Sequence, residues 1–246
     1  MTMTERMNSY KAVAVFTKAF FEAFPKGVLD AAFADNAPEK WNDPKTIKEL
    51  MLAHYDFISQ HYMESVFLAI CRINYRDFND VEAALAPLRS KPGLEFEDYM
   101  RVACKQPELM EALKAEYQRN FSCLLAGHFA TPEEHLADCT TGTLSSYWAD
   151  EPKTIHLLVR VIVKAYAAGL KEGSAQQGRQ FPGPLHMPTV HSLLLENVNL
   201  LVNSRPLDTT DDDPVELFQK ACGGREGNVN VVFNALEEVM KDLALE

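Results

Sequence analysis

His54, His61 and Glu64 are the residues of this 246-residue chain whose types and spacing come closest to a metal site. On one helix, His54 and His61 share a face with Leu50, Phe57, Ile58 and Leu68. Seven residues separate the two Cα atoms by about 10 Å, too far for two ligands on a single ~2 Å coordination sphere. His61 and Glu64, three apart, are better placed to share an ion, as in the Glu-x-x-His arrangement of di-iron bundles but in reverse order. Such bundles need a second copy and two further inward carboxylates. The chain has no second copy, because Pro132 stands where a partner Glu before His135 would be. The plainer reading makes both histidines core residues bonded to backbone or water. A helical-bundle enzyme or sensor holding a metal, haem or small ligand near His54, His61 and Glu64 is kept as the alternative.

His128, His135 and Cys139 gather around a second turn, and a Cys-His nucleophile pair needs a thiol close to an imidazole. Cys139 would lie two turns into its helix, where no N-terminal dipole activates it, so structural roles are expected. Asp208 and Asp211 to Asp213 form an acidic loop with neither the Gly-bearing twelve-residue spacing nor the terminal Glu of an EF-hand. Asp213 has a sufficient task as a helix cap. Lys153, His156, Arg160, Lys164 and Lys171 form a narrow cationic edge on an apolar segment. Arg160 and Lys164 could grip an anionic ligand, or the whole edge could pair with carboxylates of neighbouring helices. The nucleophile-elbow, zincin, P-loop and dinucleotide signatures are all missing, so no catalytic residue is assigned and no cofactor is named.

The elements that must position these groups are helical. Val13, Phe16, Phe20 and Phe24 recur at spacings of three and four, and this stripe is expected to stop at Pro25 and Gly27. Residues 28 to 44 read as irregular, with Pro38 and Pro44 as breakers. From Thr46 to about Arg72 the periodicity returns, over a length that requires a kink or break. A weaker helix is expected over Asn79 to Leu88, ending at the Arg89 to Gly93 turn. Pro107 opens a helix with Leu113, Tyr117, Phe121 and Leu124 on one face, closed by Gly127. Thr131-Pro-Glu-Glu134 is a capping box, and Asp213-Pro-Val-Glu216 repeats its logic. Pro152 to Lys171 is apolar round most of its circumference and so predicts a central helix. Gly173 to Pro188 reads as a linker or surface crossing. A final helix carries Val232, Leu236, Val239 and Leu243 on one side. Strand alternation and hairpin signals are thin, so the expected fold is all-α, about nine helices in one bundle-like domain over residues 1–246. A weak subdivision after residue 92 is the only boundary suggested.

Five cysteines without metal or disulfide spacing fit buried reduced thiols in the cytoplasm, and no segment reads as a membrane span or leader. Net charge is -11, and its distribution is uneven. Residues 1–92 hold 11 basic and 12 acidic residues, whereas 93–246 hold 13 and 23. The last stretch, 205–246, holds 4 basic and 10 acidic residues, a net of -6. This excess argues against direct nucleic-acid binding, which needs clustered Lys and Arg, and suits a basic partner instead. The reading is a non-catalytic interaction protein (adaptor, regulator or inhibitor) that meets a protein, basic or itself nucleic-acid-binding, through its acidic C-terminal part. Asp208, Asp211, Asp212, Glu237 and Glu238 are the candidate contacts. Phe21 joins them, because adjacent Phe20 and Phe21 point to different sides of their helix. A second copy of the chain is a further candidate partner.

Overall fold

The computed structural model describes residues 6–33, 37–74, 107–131, 148–178, 185–207 and 213–245. The fold is all-α. Helix α1 spans Ser9–Phe33, α2 Ala37–Lys40, α3 Pro44–Ala53 and α4 Tyr55–Tyr62, which passes through a π-helical turn at Met63–Phe67 into α5, Leu68–Asn74. Then follow α6 (Pro107–Ala126), α7 (Glu151–Gln176), α8 (Met187–Asn203), α9 (Pro214–Ala221) and α10 (Glu226–Leu245). A three-residue ribbon pairs β1, Arg6–Asn8, antiparallel with β2, Trp148–Asp150. No described helix is long and apolar enough to cross a membrane.

The most extensive contact is between α1 and α7. It explains why α1 does not stop where its sequence says it should. The helix runs through Pro25 and Gly27 to Phe33. An interior proline costs a helix a backbone hydrogen bond, about 3 kcal/mol, but here burial on both sides of the helix outweighs that cost. Gly27 is a point of contact between the two backbones. A Cβ there would run into the Tyr166 carbonyl oxygen, and one on Gly169 would run into that of Phe24. Further along α7, a Cβ on Gly173 would lie 2.6 Å from the Val28 carbonyl. The sequence reads Gly173 as the start of a linker, but α7 continues past it to Gln176. At the far end of that stretch Pro188 sits in the first turn of α8. Only 179–184 of it falls outside the described residues.

The long periodic segment after Thr46 breaks as its length requires. The region expected to be irregular is largely helical: α1 covers 28–33, α2 takes in Pro38, and Pro44 opens α3 with Asp43 as its cap through Lys45 N, each proline being tolerated in a first turn. His54 ends α3 and begins α4, which shifts the helical phase. Ile47, Leu50 and Ile58 keep the inward positions, whereas Phe57 is turned out and is 45% exposed. Pro107 opens α6 as expected, and Gly127 closes it at φ 90°. Asp213 Oδ1 accepts from Val215 N at 2.9 Å to cap α9, and Gly223 and Gly224 end it with positive φ. The readings for Asn79 to Leu88, for the Arg89 to Gly93 turn and for residues 132–134 of the capping box lie outside the described residues. One continuous apolar cluster takes in Phe16 of α1, Met51, Tyr62, Leu113, Ile162, Leu194, Phe218 and Val239.

Candidate functional site

Charge is handled in two ways in this molecule, and only one of them faces outward. Lys18, Glu22 and Lys26 lie one turn apart along α1 among apolar neighbours, so folding buries them. Lys18 Nζ donates to Glu22 Oε2 at 2.9 Å and to Glu196 Oε1 of α8 at 2.6 Å. Lys26 Nζ donates to Glu22 Oε1 at 2.6 Å and lies over the Trp41 and Phe129 rings, 4.9 and 5.6 Å from their centroids. Asn197 Nδ2 donates to Leu193 O at 2.9 Å and, at 3.4 Å, to Glu22 Oε2. Burial opposes both charges, but the opposite partners prevail. Lys18 is held above the ordinary lysine range and Glu22 well below the ordinary carboxyl range. A lysine kept protonated is no nucleophile, and a carboxylate saturated with cations is no proton donor. The ladder therefore serves to join α1 to α8. Its three α1 residues, spaced i, i+4 and i+8 on an otherwise apolar helix, are the signal that could have found it.

The proposed ligand residues are not brought together. His54 is buried, with Nδ1 3.4 Å from Glu172 Oε1 and 3.4 Å from Gln176 Nε2, both on α7. Burial holds its imidazole below the ordinary range, against the upward pull of Glu172 and Gln176. His61 lies between the Phe24 and Phe57 rings, at 5.9 and 5.7 Å, and its Nδ1 is 3.9 Å from Glu64 Oε2. Among the described residues no three His, Cys, Asp or Glu side chains are placed to hold a metal ion. His128 is exposed beyond the end of α6, and His135 and Cys139 lie outside the described residues.

Phe21 does not reach the surface, contrary to the sequence expectation. It is 2% exposed, with the Tyr117 ring of α6 at 5.3 Å and Tyr62 at 5.7 Å. Neighbouring helix positions do point to different sides, but α1 is covered on both of them, by α7 and by α6. The cationic edge of α7 meets carboxylates of α10. Arg160 Nη2 donates to Asp242 Oδ2 at 2.7 Å, and His156 Nε2 stands 3.5 Å from Glu238 Oε2. Lys164 is half-buried on the same edge. So Glu238 is turned toward α7, and Arg160 is occupied without an anionic ligand.

The pair α9–α10 carries carboxylates that face outward, as do other charged residues such as Lys45 and Glu49 of α3. Glu216, Glu226 and Glu237 are exposed, and Glu237 Oε1 accepts from Lys241 Nζ at 2.6 Å, which lowers its carboxyl range. Asp208, Asp211 and Asp212 lie outside the described residues. Sequence reading missed the apolar part of this surface. The inward stripe of α10 is complete in Val232, Ala235, Leu236 and Val239. Phe233 is 45% exposed beside it, and Val215 of α9 is 65% exposed. Phe233 packs only its inner side, on Phe218 at 5.4 Å, and Phe218 in turn meets the His191 ring of α8 edge-on at 6.0 Å. A row of rings thus crosses three helices and emerges at Phe233, one turn before Glu237 on α10.

No protein-family model matches this chain, and neither the curated proteins nor the solved structures contain a significant match to it.

Proposed function

We propose that the chain is a non-catalytic α-helical interaction protein, an adaptor, regulator or inhibitor of the cytoplasm, that engages a basic protein partner through its acidic C-terminal surface. The observation that carries this reading is the division of charge. Buried carboxylates are committed to cations, Glu22 to Lys18 and Lys26 inside the fold and Glu151 to the exposed Arg225. Glu216, Glu226 and Glu237 stand in solvent on a pair of helices whose stretch of chain, 205–246, is net -6. Lys220, Arg225 and Lys241 are exposed on the same face, so it is mixed but acidic in excess, and such an excess favours encounter with an oppositely charged protein over nucleic acid or anionic lipid. Two further features support a binding role: Arg160 and His156 face α10 instead of a ligand, and the buried Cys222 thiol is kept protonated and unreactive at neutral pH.

The test is affinity capture with the intact chain beside the Glu216→Gln/Glu226→Gln/Glu237→Gln variant, read by quantitative mass spectrometry. The expected result is a basic protein retained by the native chain, released as salt rises and lost with the three carboxylates. Identical capture profiles for the two proteins would contradict the reading.

A further inference from the structure

We infer that the exposed Val215–Phe233 ridge on α9 and α10 is the docking surface for a basic amphipathic helix of the partner. The partner's apolar side chains cover Phe233 and Val215, and its Lys and Arg residues meet Glu216 and Glu237. This rests on the interaction reading above and adds the apolar anchor to it.

Three observations converge on the ridge. Phe233 has no core task, since the inward stripe of α10 is filled by residues 0 to 8% exposed. Its ring is nevertheless held by Phe218 beneath it, and Phe218 by His191. An aromatic anchor already fixed in position loses little conformational freedom on binding. Val215 lies one turn before Phe218 on α9, so the two exposed apolar groups flank the same supporting ring. Polar residues border them: Glu216 and Gln219 on α9, Asn230, Asn234 and Glu237 on α10, all exposed. An apolar centre with a charged rim is the layout of a recognition surface, and a helix laid across two helices is a recurrent way to fill one.

Charge selects the occupant. Across the described residues 213–245, six acidic residues stand against three basic ones, so a second copy of this chain would bring a net of -3 against a net of -3, and an anionic membrane or nucleic acid would be disfavoured in the same way. A cationic helix with one apolar stripe satisfies both the ridge and the rim.

The probe is a fluorescent, helix-forming Leu/Lys peptide with its leucines on one face, titrated against the intact chain by anisotropy. Its control is a peptide of the same composition with the leucines scattered round the helix. The native chain is expected to bind the amphipathic form at least about tenfold more tightly than the scattered one. Phe233→Ser should lose about tenfold in affinity and Val215→Ser less, with circular dichroism spectra unchanged. Equal affinity for the two peptides, or full affinity in folded Phe233→Ser, overturns the ridge. The two proposals fail separately. Capture that depends on the three carboxylates but not on Phe233 removes the ridge and leaves the acidic surface. Capture that ignores the carboxylates removes the surface reading itself.

Discussion

The α1–α7 pair and the α9–α10 pair treat the same kinds of residue in opposite ways. In the first, Lys18 and Glu22 are buried and matched, large aromatics such as Phe16, Phe20 and Phe24 are fully covered, and glycines bring the two backbones together. In the second, carboxylates stand in solvent, Phe233 is half out, and Gly223 and Gly224 serve only to turn the chain between short helices. The first arrangement makes every side chain costly to change. The second leaves a surface that can change without loss of fold. Stability and recognition are therefore assigned to different helix pairs.

That contrast is most severely tested at Gly169. Alanine there must displace the Phe24 carbonyl, which belongs to backbone and cannot swing aside. Alanine's better helix propensity, about 1 kcal/mol, does not compensate. Gly169→Ala should cost about 4 kcal/mol or more in urea unfolding, while Gly227→Ala on α10, with nothing within 4 Å of the added Cβ, should cost nothing. Comparable losses at the two glycines would erase the distinction.

Next in size is Glu22. Glu22→Gln leaves Lys18 with the Glu196 carboxylate alone and takes the Glu22 carboxylate away from Lys26, in a buried setting. Removing one partner of a buried pair costs about 3 kcal/mol or more, and the loss should appear in the same unfolding assay. Glu237→Gln breaks the equivalent i, i+4 pair with Lys241, but both groups are exposed, so its effect should be near zero.

The pH profile carries the same asymmetry. The His54 imidazole is depressed from 6.5, so its contribution is present above that pH and is lost on acidification as the buried ring is forced to charge. Glu22 is depressed from 4.5, and its contribution is lost at still lower pH. The Cys222 thiol is raised from 9.0 to about 11, so its contribution is present below 9 and is lost as pH climbs toward 11. Stability should accordingly form a plateau between about pH 6.5 and 9. His54→Gln should flatten its acidic shoulder, and Cys222→Ala should move the alkaline fall up to about pH 10, where the phenols of Tyr62, Tyr117 and Tyr166, also raised by burial, take over. A profile unchanged by either substitution would contradict the assignments. A smaller loss than at Gly169 or Glu22 is expected for the α9 cap. Asp213→Ala should cost about 1 kcal/mol of stability, read by thermal or urea unfolding, and Asp213→Asn much less.

Much of this fold is legible in the sequence because local signals and tertiary packing agree. Pro107, Asp213 and the Gly223-Gly224 pair mark helix ends that the structure keeps, and the apolar circumference of residues 152–171 marks the central helix. The misreadings share one physical cause, which is that burial overrides local preference. Pro25 and Gly27 look like a stop, yet they sit inside α1, because α7 needs the missing Cβ of Gly27 and covers the helix beyond it. Phe21 looks available because Phe20 occupies the core, but α6 supplies a second wall. Phe57 looks inward until the break at His54 rotates the frame. The ridge was hidden for a different reason: the sequence stripe of α10 leaves Phe233 aside, but only the structure shows Phe218 supporting its ring at the surface. The lysine ladder of α1 was visible as a spacing, but its meaning depends on Glu196, 178 residues away from Lys18.

The most direct measurement takes Tm and peptide affinity from the same samples of the native chain, Phe233→Ser and Phe21→Ser. Phe233→Ser is expected to melt within about 3 °C of the native chain while binding the amphipathic Leu/Lys peptide about tenfold more weakly. Phe21→Ser is expected to lose several times that much in Tm and, below its own transition, to bind the peptide as the native chain does. A large fall in Tm for Phe233→Ser with affinity intact would contradict the account, because it would return Phe233 to the core and leave the acidic helices without their anchor.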